Sequence, residues 1–324
     1  MENIYPLGIR PGESIIVTPS QTLSNDEYYL LRNVSIKVAR HLGIVGVCNV
    51  QFALHPSCNE YYIIGINPRL SRSSAFESKV TGYPLAYIVV KLTLGMNLAE
   101  LINHITKSTC ACFEPSLDYV TIKASRKNLS KSIQCSKKFG NFMKSNGEVM
   151  SIGRSFEEAF QQALRMVNEH VTGFDPYPQT VTDNELSALN YQYIFLLAKA
   201  LQQRYTIERL SKLTQIDPSI LDGQPLLYKS KVLAFSDLQI AHYTNCTPNQ
   251  ISEKRKKNGI RAYIKQIDTV GGACKPAKSY FYFTYTAKDD DVRRIITHQV
   301  PMIVIGHNDI QTSDTDLRLL GTSD

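Results

Sequence analysis

The 324-residue chain, 43% hydrophobic and 20% charged, has the composition of an ordinary folded protein and the length for two domains with real cores. Its net charge of +7 permits an acidic ligand such as a nucleotide without singling one out, and its longest apolar runs, such as Tyr193–Ala198, are far too short to span a bilayer. Seven scattered cysteines argue for reduced thiols in a cytosolic or matrix compartment, and Met1–Thr18 has neither an apolar signal core nor an Arg-rich amphipathic helix.

Taken in order, Ser14–Thr18 reads as a strand closed off by Pro19. Ser24 and Glu27 form a capping-box pattern, with Leu23 and Tyr28 placed for a hydrophobic staple. Leu31, Val34, Val38 and Leu42 follow at helical spacing until Gly43. Cys48–Leu54 and Tyr61–Ile66 are rich in β-branched and aromatic residues and flank a turn-forming connection, so they read as a β-hairpin. Alternation puts Val50, Phe52 and Leu54 on a core face with Tyr62, Ile64 and Ile66 as partners. It puts Asn49, Gln51, Ala53, Gly65 and Asn67 on the other face. Pro84–Leu94 and Leu98–Ile105 read as helices either side of Gly95, and Phe113–Lys123 as a strand. The only close cysteine pair, Cys110 and Cys112, lacks zinc-ligand company and reads as packing thiols. Ser155 caps a further helix with a stripe of Phe156, Phe160, Ala163 and Val167. Strands interleaved with one-faced helices predict an α/β or α+β fold.

Asp175-Pro-Tyr-Pro marks a boundary, since two prolines break all periodicity. Beyond it Tyr191–Gln203, Thr206–Leu213, Phe235–Tyr243 and Thr247–Lys257 read as helices, and Tyr280–Tyr285 and Val300–Gly306 as buried strands. The last two of those helices, ending in Lys254-Arg255-Lys256-Lys257, imitate a DNA-binding helix-turn-helix, although such a charge run is more often a solvated helix face. His41 and His55 read as a helix-end and a turn residue.

The polar hairpin face carries an amide pair, Gln51 and Asn67, with Arg69 and Arg72 just beyond. Hard oxygens and planar guanidinium forks suit a metal-complexed phosphate; an ordinary sheet with polar residues facing solvent is the plainer alternative.

The blocks NVQFAL and INPRLSRSSAFESKVTGYPLAY, then FEPSLDY, GEVMSIGRSFEEAFQQALRM and KQIDT, in that order, resemble the synthetase subunit of carbamoyl phosphate synthetase, specifically its first ATP-grasp half, in animal enzymes. HLGIVGVCNVQFALHP and CACFEPSLDY lean slightly toward the mitochondrial form. The resemblance implies three parts: residues 1–174 as the C-terminal part of an ATP-grasp domain, 175–290 as a mainly helical oligomerisation domain, and 291–324 as a vestige of the next domain. It implies ATP and Mg²⁺ or Mn²⁺ as cofactors, bicarbonate as substrate, and association through 175–290 with itself or with a full-length synthetase. By the same resemblance Gly8, Ile9, Arg10 and Gln51 line the nucleotide site, Gln51 and Asn67 hold metal, and Arg69 and Arg72 hold phosphoryl or carboxyphosphate oxygens. Two positions depart from the pattern: the family has histidine at Arg10 and a metal-binding glutamate at Gly65. The front of the nucleotide cradle is also expected to be missing. The expectation is therefore a ligase relative inactive as an isolated chain. A non-catalytic module that binds a synthetase, and a nucleic-acid-binding protein, remain as alternatives.

Overall fold

The computed structural model describes residues 1–9, 12–56, 58, 60–126, 145, 147–167, 171–188, 190, 192–217, 227–272, 281–291, 302–303 and 319–320. Arg10 and most of 291–324, including all but two residues of the expected strand 300–306, lie outside them. The chain divides into two compact units, one of Met1–Gln21, Tyr119–Ile267 and Tyr280–Asp324, the other of Thr22–Asp118 and Asp268–Ser279.

The first unit is built on an antiparallel sheet in the order β1 (Glu2–Asn3), β2 (Ile16–Thr18), β5 (Val120–Arg126), β6 (Gly147–Gly153). The fifth strand starts later than the sequence predicts, at Val120 rather than Phe113. Helix α4 (Phe156–Val167) lies against it, with Ser155 Oγ accepting from Glu158 N at 3.3 Å. Its buried face is Ala159, Ala163 and Leu164. Phe156 and Phe160 stack on each other at 5.3 Å at the margin, because small residues let the helix approach the sheet closely while the two rings cover its flank.

One apolar cluster joins Val17, Ile122 and Val149 of the sheet to Tyr193, Leu197, Leu210 and Ile216 beyond the Asp175-Pro boundary. There α5 (Asp183–Ser187), α6 (Tyr193–Gln202), α7 (Ile207–Thr214), α8 (Leu227–Val232), α9 (Asp237–Thr244) and α10 (Pro248–Lys257) follow, as the sequence predicts of a mainly helical stretch. Burial pushes the Tyr193 phenol up to about 12. The boundary segment is held in place: Phe174 N donates to Gln161 Oε1 at 2.8 Å, Gln239 Nε2 to Asp175 Oδ1 at 3.0 Å, and Tyr177 N to Phe195 O at 3.0 Å. The two-stranded ladder β7 (Tyr263–Gln266) and β8 (Phe281–Thr284) buries Tyr282 and Thr284, so this aromatic strand is core.

Glu158 ties α4 to β8. Its Oε2 accepts from Arg154 N and Thr284 Oγ1, each at 2.8 Å, while Oε1 is buried with no partner. Desolvation pushes its carboxyl above the ordinary 4.5, against hydrogen bonds that pull it down. A carboxyl raised on folding favours the native state most when protonated, below its unfolded pKa. That contribution is lost as pH rises through the folded value. Glu158→Gln should therefore flatten the decline in stability as pH rises above the ordinary carboxyl value, read from urea unfolding across a pH series.

In the second unit α1 (Asn25–His41) begins with the expected capping box, Glu27 N donating to Ser24 Oγ at 3.3 Å and Ser24 N to Glu27 Oε2 at 2.8 Å. Its apolar stripe is not a core stripe: no residue of α1 is buried, and Leu42 is 54% exposed. Helices α2 (Arg72–Thr81) and α3 (Leu85–Thr93) follow the hairpin described below. The expected helix 98–105 is absent. Asn103 Oδ1 accepts from Ile105 N at 2.8 Å and Thr106 N at 3.3 Å, offering those amides a side-chain partner in place of a helical one. Leu101–Asn103 instead pairs with 109–111, through Ala111 N to Leu101 O at 2.7 Å and Asn103 N to Thr109 O at 2.8 Å.

Candidate functional site

The hairpin of β3 (Asn49–Leu54) and β4 (Tyr61–Asn67) is closed by His55 N donating to Glu60 O at 2.9 Å. Its register pairs Asn49 with Asn67, Val50 with Ile66 and Gln51 with Gly65. Residues directly opposite in an antiparallel ladder share a face, so Asn49, Gln51, Gly65 and Asn67 stand together. A Cβ at Gly65 would come within 2.9 Å of Gln51 Oε1. The register then slips: Phe52 pairs with Ile63, Ala53 with Tyr62 and Leu54 with Tyr61, leaving Ile64 as the extra residue of a β-bulge. The expected apolar partnership of Phe52 and Leu54 with Tyr62 and Ile64 is therefore wrong. Tyr61 and Ile63 take those places, and the Phe52 and Tyr61 rings meet edge to face at 6.1 Å. Nor is either face of the hairpin core: no residue of the two strands is buried, and Ile63 opposite Phe52 is 40% and Tyr62 opposite Ala53 68% exposed. Strict two-residue alternation holds only as far as the Gln51–Gly65 pair, and the bulge inverts every residue of the strand beyond it.

Arg69 leaves the strand in a tight turn, its N donating to Asn67 O at 2.9 Å, with its guanidinium exposed and Nη1 3.4 Å from Leu70 O. Arg72 is the first residue of α2, which Ser71 caps by accepting from Ser74 N at 3.3 Å. Capping fixes Arg72 at the helix start just after the polar face of the hairpin. Gly8 is exposed and Ile9 packs on the core of the first unit, whereas Gln51, Asn67, Arg69 and Arg72 belong to the second. Arg10 is outside the described residues.

This face offers three amide side chains, and Asn49 Oδ1 is buried without a partner. It offers no carboxylate, and among the described residues no cluster of three or more His, Cys, Asp or Glu side chains is placed to hold a metal. Neutral amide oxygens alone do not fit Mg²⁺, which in phosphate-handling sites is bound through one or two carboxylates plus the phosphates. Glu77 of α2 also bears a buried Oε2 without a partner, and desolvation pushes its carboxyl up. No spacing or motif signals it, because its burial arises from tertiary packing.

The basic run at the end of α10 is only partly a solvated face. Arg255 Nη2 pairs with Asp237 Oδ2 at 3.3 Å and Nη1 donates to Ile260 O at 3.2 Å, and Lys231 Nζ meets Asp237 Oδ1 at 2.8 Å. No described helix is long and apolar enough to cross a membrane.

Residues 1–101 match the ATP binding domain of the carbamoyl-phosphate synthase L chain, and residues 148–223 the oligomerisation domain of the carbamoyl-phosphate synthetase large chain. The multifunctional protein CAD of Squalus acanthias is 48% identical over 313 residues, 90% of this chain and 14% of that protein. The mitochondrial ammonia-using carbamoyl-phosphate synthase of Mus musculus is 43% identical over 321 residues, covering 21% of the enzyme. The slight lean toward the mitochondrial form is thus not reflected in the identities. A biotin carboxylase from Campylobacter jejuni superposes over 61% of this chain and 46% of its own, with a TM-score of 0.35 and 14% identity, too distant a likeness to argue from. The chain spans about a seventh of the length of the shark relative. Two family segments in the same order, within relatives 43–48% identical over 90% of the chain, show that it belongs to the carbamoyl-phosphate synthase large-chain family, carrying an ATP-grasp segment followed by the oligomerisation domain.

Proposed function

We propose that this chain carries one wall of a site that once joined ATP to bicarbonate, and that by itself it does not turn ATP over. The observation that carries this reading is Gly65 standing opposite Gln51 on a face of amides with no carboxylate. On that reading Arg69 and Arg72 are the groups placed to meet phosphoryl oxygens, and Gly8, Ile9 and Arg10 belong to the nucleotide side. Gln51 and Asn67 would supply neutral oxygens to a divalent ion whose charged ligand is gone. Phosphoryl transfer depends on positioning and on countercharge, and this face supplies the cationic forks without the aligned metal. The test is ADP release by the purified chain at saturating Mg²⁺, with and without bicarbonate. Release at background in both arms is expected. Bicarbonate-dependent turnover that Asn67→Ala abolishes would overturn the proposal.

The match of residues 148–223 to an oligomerisation domain favours a second reading, a non-catalytic module that pairs with itself or with a full-length synthetase through its helical part. A nucleic-acid role is the weaker alternative, since Arg255 is committed to Asp237. Duplex DNA binding is expected to be weak and sequence-independent. It should vanish by about 200 mM salt in an anisotropy titration, because the remaining lysines make purely electrostatic contacts. Sequence-selective binding that survives that salt would revive the helix-turn-helix.

A further inference from the structure

The expectation that Cys110 and Cys112 are packing thiols fails: both are exposed, while Ala111 between them is buried. The segment is a tight turn with Phe113 N donating to Cys110 O at 3.1 Å. It is held from beneath by Ala111 N on Leu101 O at 2.7 Å and by the Tyr83 hydroxyl on Ala111 O at 2.7 Å. The fully buried Asn103 adds Nδ2 to Phe113 O at 3.4 Å. Pinning the middle residue inward turns the cysteines on either side of it outward together. Residues two apart in a turn lie within two Cα steps, at most roughly 7 Å, and a disulfide accepts Cα separations of about 4.4–6.8 Å.

We infer that Cys110 and Cys112 form an oxidisable dithiol, a modification site that takes a small-molecule disulfide of the glutathione class and closes on itself. One thiolate attacks the small disulfide, forming a mixed disulfide and releasing one small thiol. The second thiolate then attacks the protein sulfur of that adduct, forming the Cys110–Cys112 bond and releasing the second small thiol. Two protein thiols are oxidised and one small disulfide is reduced to two thiols, so atoms and electrons balance. Either exposed sulfur can open the small disulfide, and the other then resolves the adduct. Ring closure is intramolecular, with a local concentration of order millimolar or more, so it outruns a second encounter with the small disulfide. The reduced compartment that the scattered cysteines imply keeps the pair as thiols at rest, which suits a sensor rather than a staple.

The test uses the whole chain incubated with oxidised glutathione, then alkylated and digested with trypsin. Residues 108–123 form one peptide holding both cysteines. The expected product is that peptide about 2 Da lighter than its dithiol form and unalkylated, appearing at least about tenfold faster than any adduct on the exposed Cys58. In Cys112→Ser the expected product is instead a stable glutathione adduct on Cys110. The same peptide recovered fully alkylated, carrying two separate adducts, or modified no faster than Cys58, would overturn the assignment.

Discussion

Gly65→Glu is expected to tighten Mn²⁺ binding by roughly 10–100-fold, the scale on which metal affinity responds when a site's supporting groups are changed. The backbone accepts the change, since Gly65 does not adopt a left-handed conformation and its only close neighbour is the end of the flexible Gln51 side chain. The new carboxyl would stand on the face shared by Gln51 and Asn67 and would supply the negative charge that three amides lack. Bicarbonate-dependent ADP release should nonetheless stay at background, because one restored ligand does not rebuild a positioned nucleotide cradle. Electron paramagnetic resonance titration of Mn²⁺, run beside the ADP assay, separates the two claims. Unchanged Mn²⁺ affinity would mean that the hairpin face is not a metal face at all. Restored turnover would mean that the rest of the site is more complete than argued above.

Gly173→Ala should be strongly destabilising, costing at least about 3 kcal/mol. Gly173 sits at φ +154, where side chains are rarely tolerated, and a Cβ there would clash with Gln161 Oε1 and with both polar atoms of the Gln239 amide, its Oε1 at 2.8 Å. Neither amide has anywhere to go. Gln161 is 4% and Gln239 2% exposed, and each holds a hydrogen bond to the boundary segment, Gln161 with Phe174 N and Gln239 with Asp175. Moving them leaves buried polar groups unpaired, at about 1–3 kcal/mol each, on top of about 1–3 kcal/mol for overpacking. Gly147→Ala is the control, because nothing lies within 4 Å of its added methyl. A loss below about 1 kcal/mol in urea unfolding would show that the segment yields.

Local signals were legible wherever the cause was local. The Ser24 and Ser155 caps and the helices they open fall within a residue or two of where the side chains place them. The polar face of the hairpin was also legible, because pairing near Asn67 follows simple alternation. What failed turned on pairing, packing and side-chain hydrogen bonds that periodicity alone does not show. The stripe on α1 finds no core to enter, the Asn103 side chain diverts a helix into a turn, and Ile64 bulges out of its strand. The outward pair Cys110 and Cys112 was misread for the same reason, since only the tertiary anchoring of Ala111 decides which way its neighbours face.

The hairpin also governs how the chain behaves when crowded. Among the described residues β3 and β4 pair only with each other, with no third strand on either outer edge, and Tyr62, Ile63 and Ile64 are exposed. Such an edge is a template for intermolecular strand addition. Expression should therefore favour inclusion bodies over soluble material at high synthesis rates. Light scattering of purified protein should grow with concentration well below the melting temperature, and a lysine at position 63 or 64 should suppress that growth more than any change on the helices of the first unit.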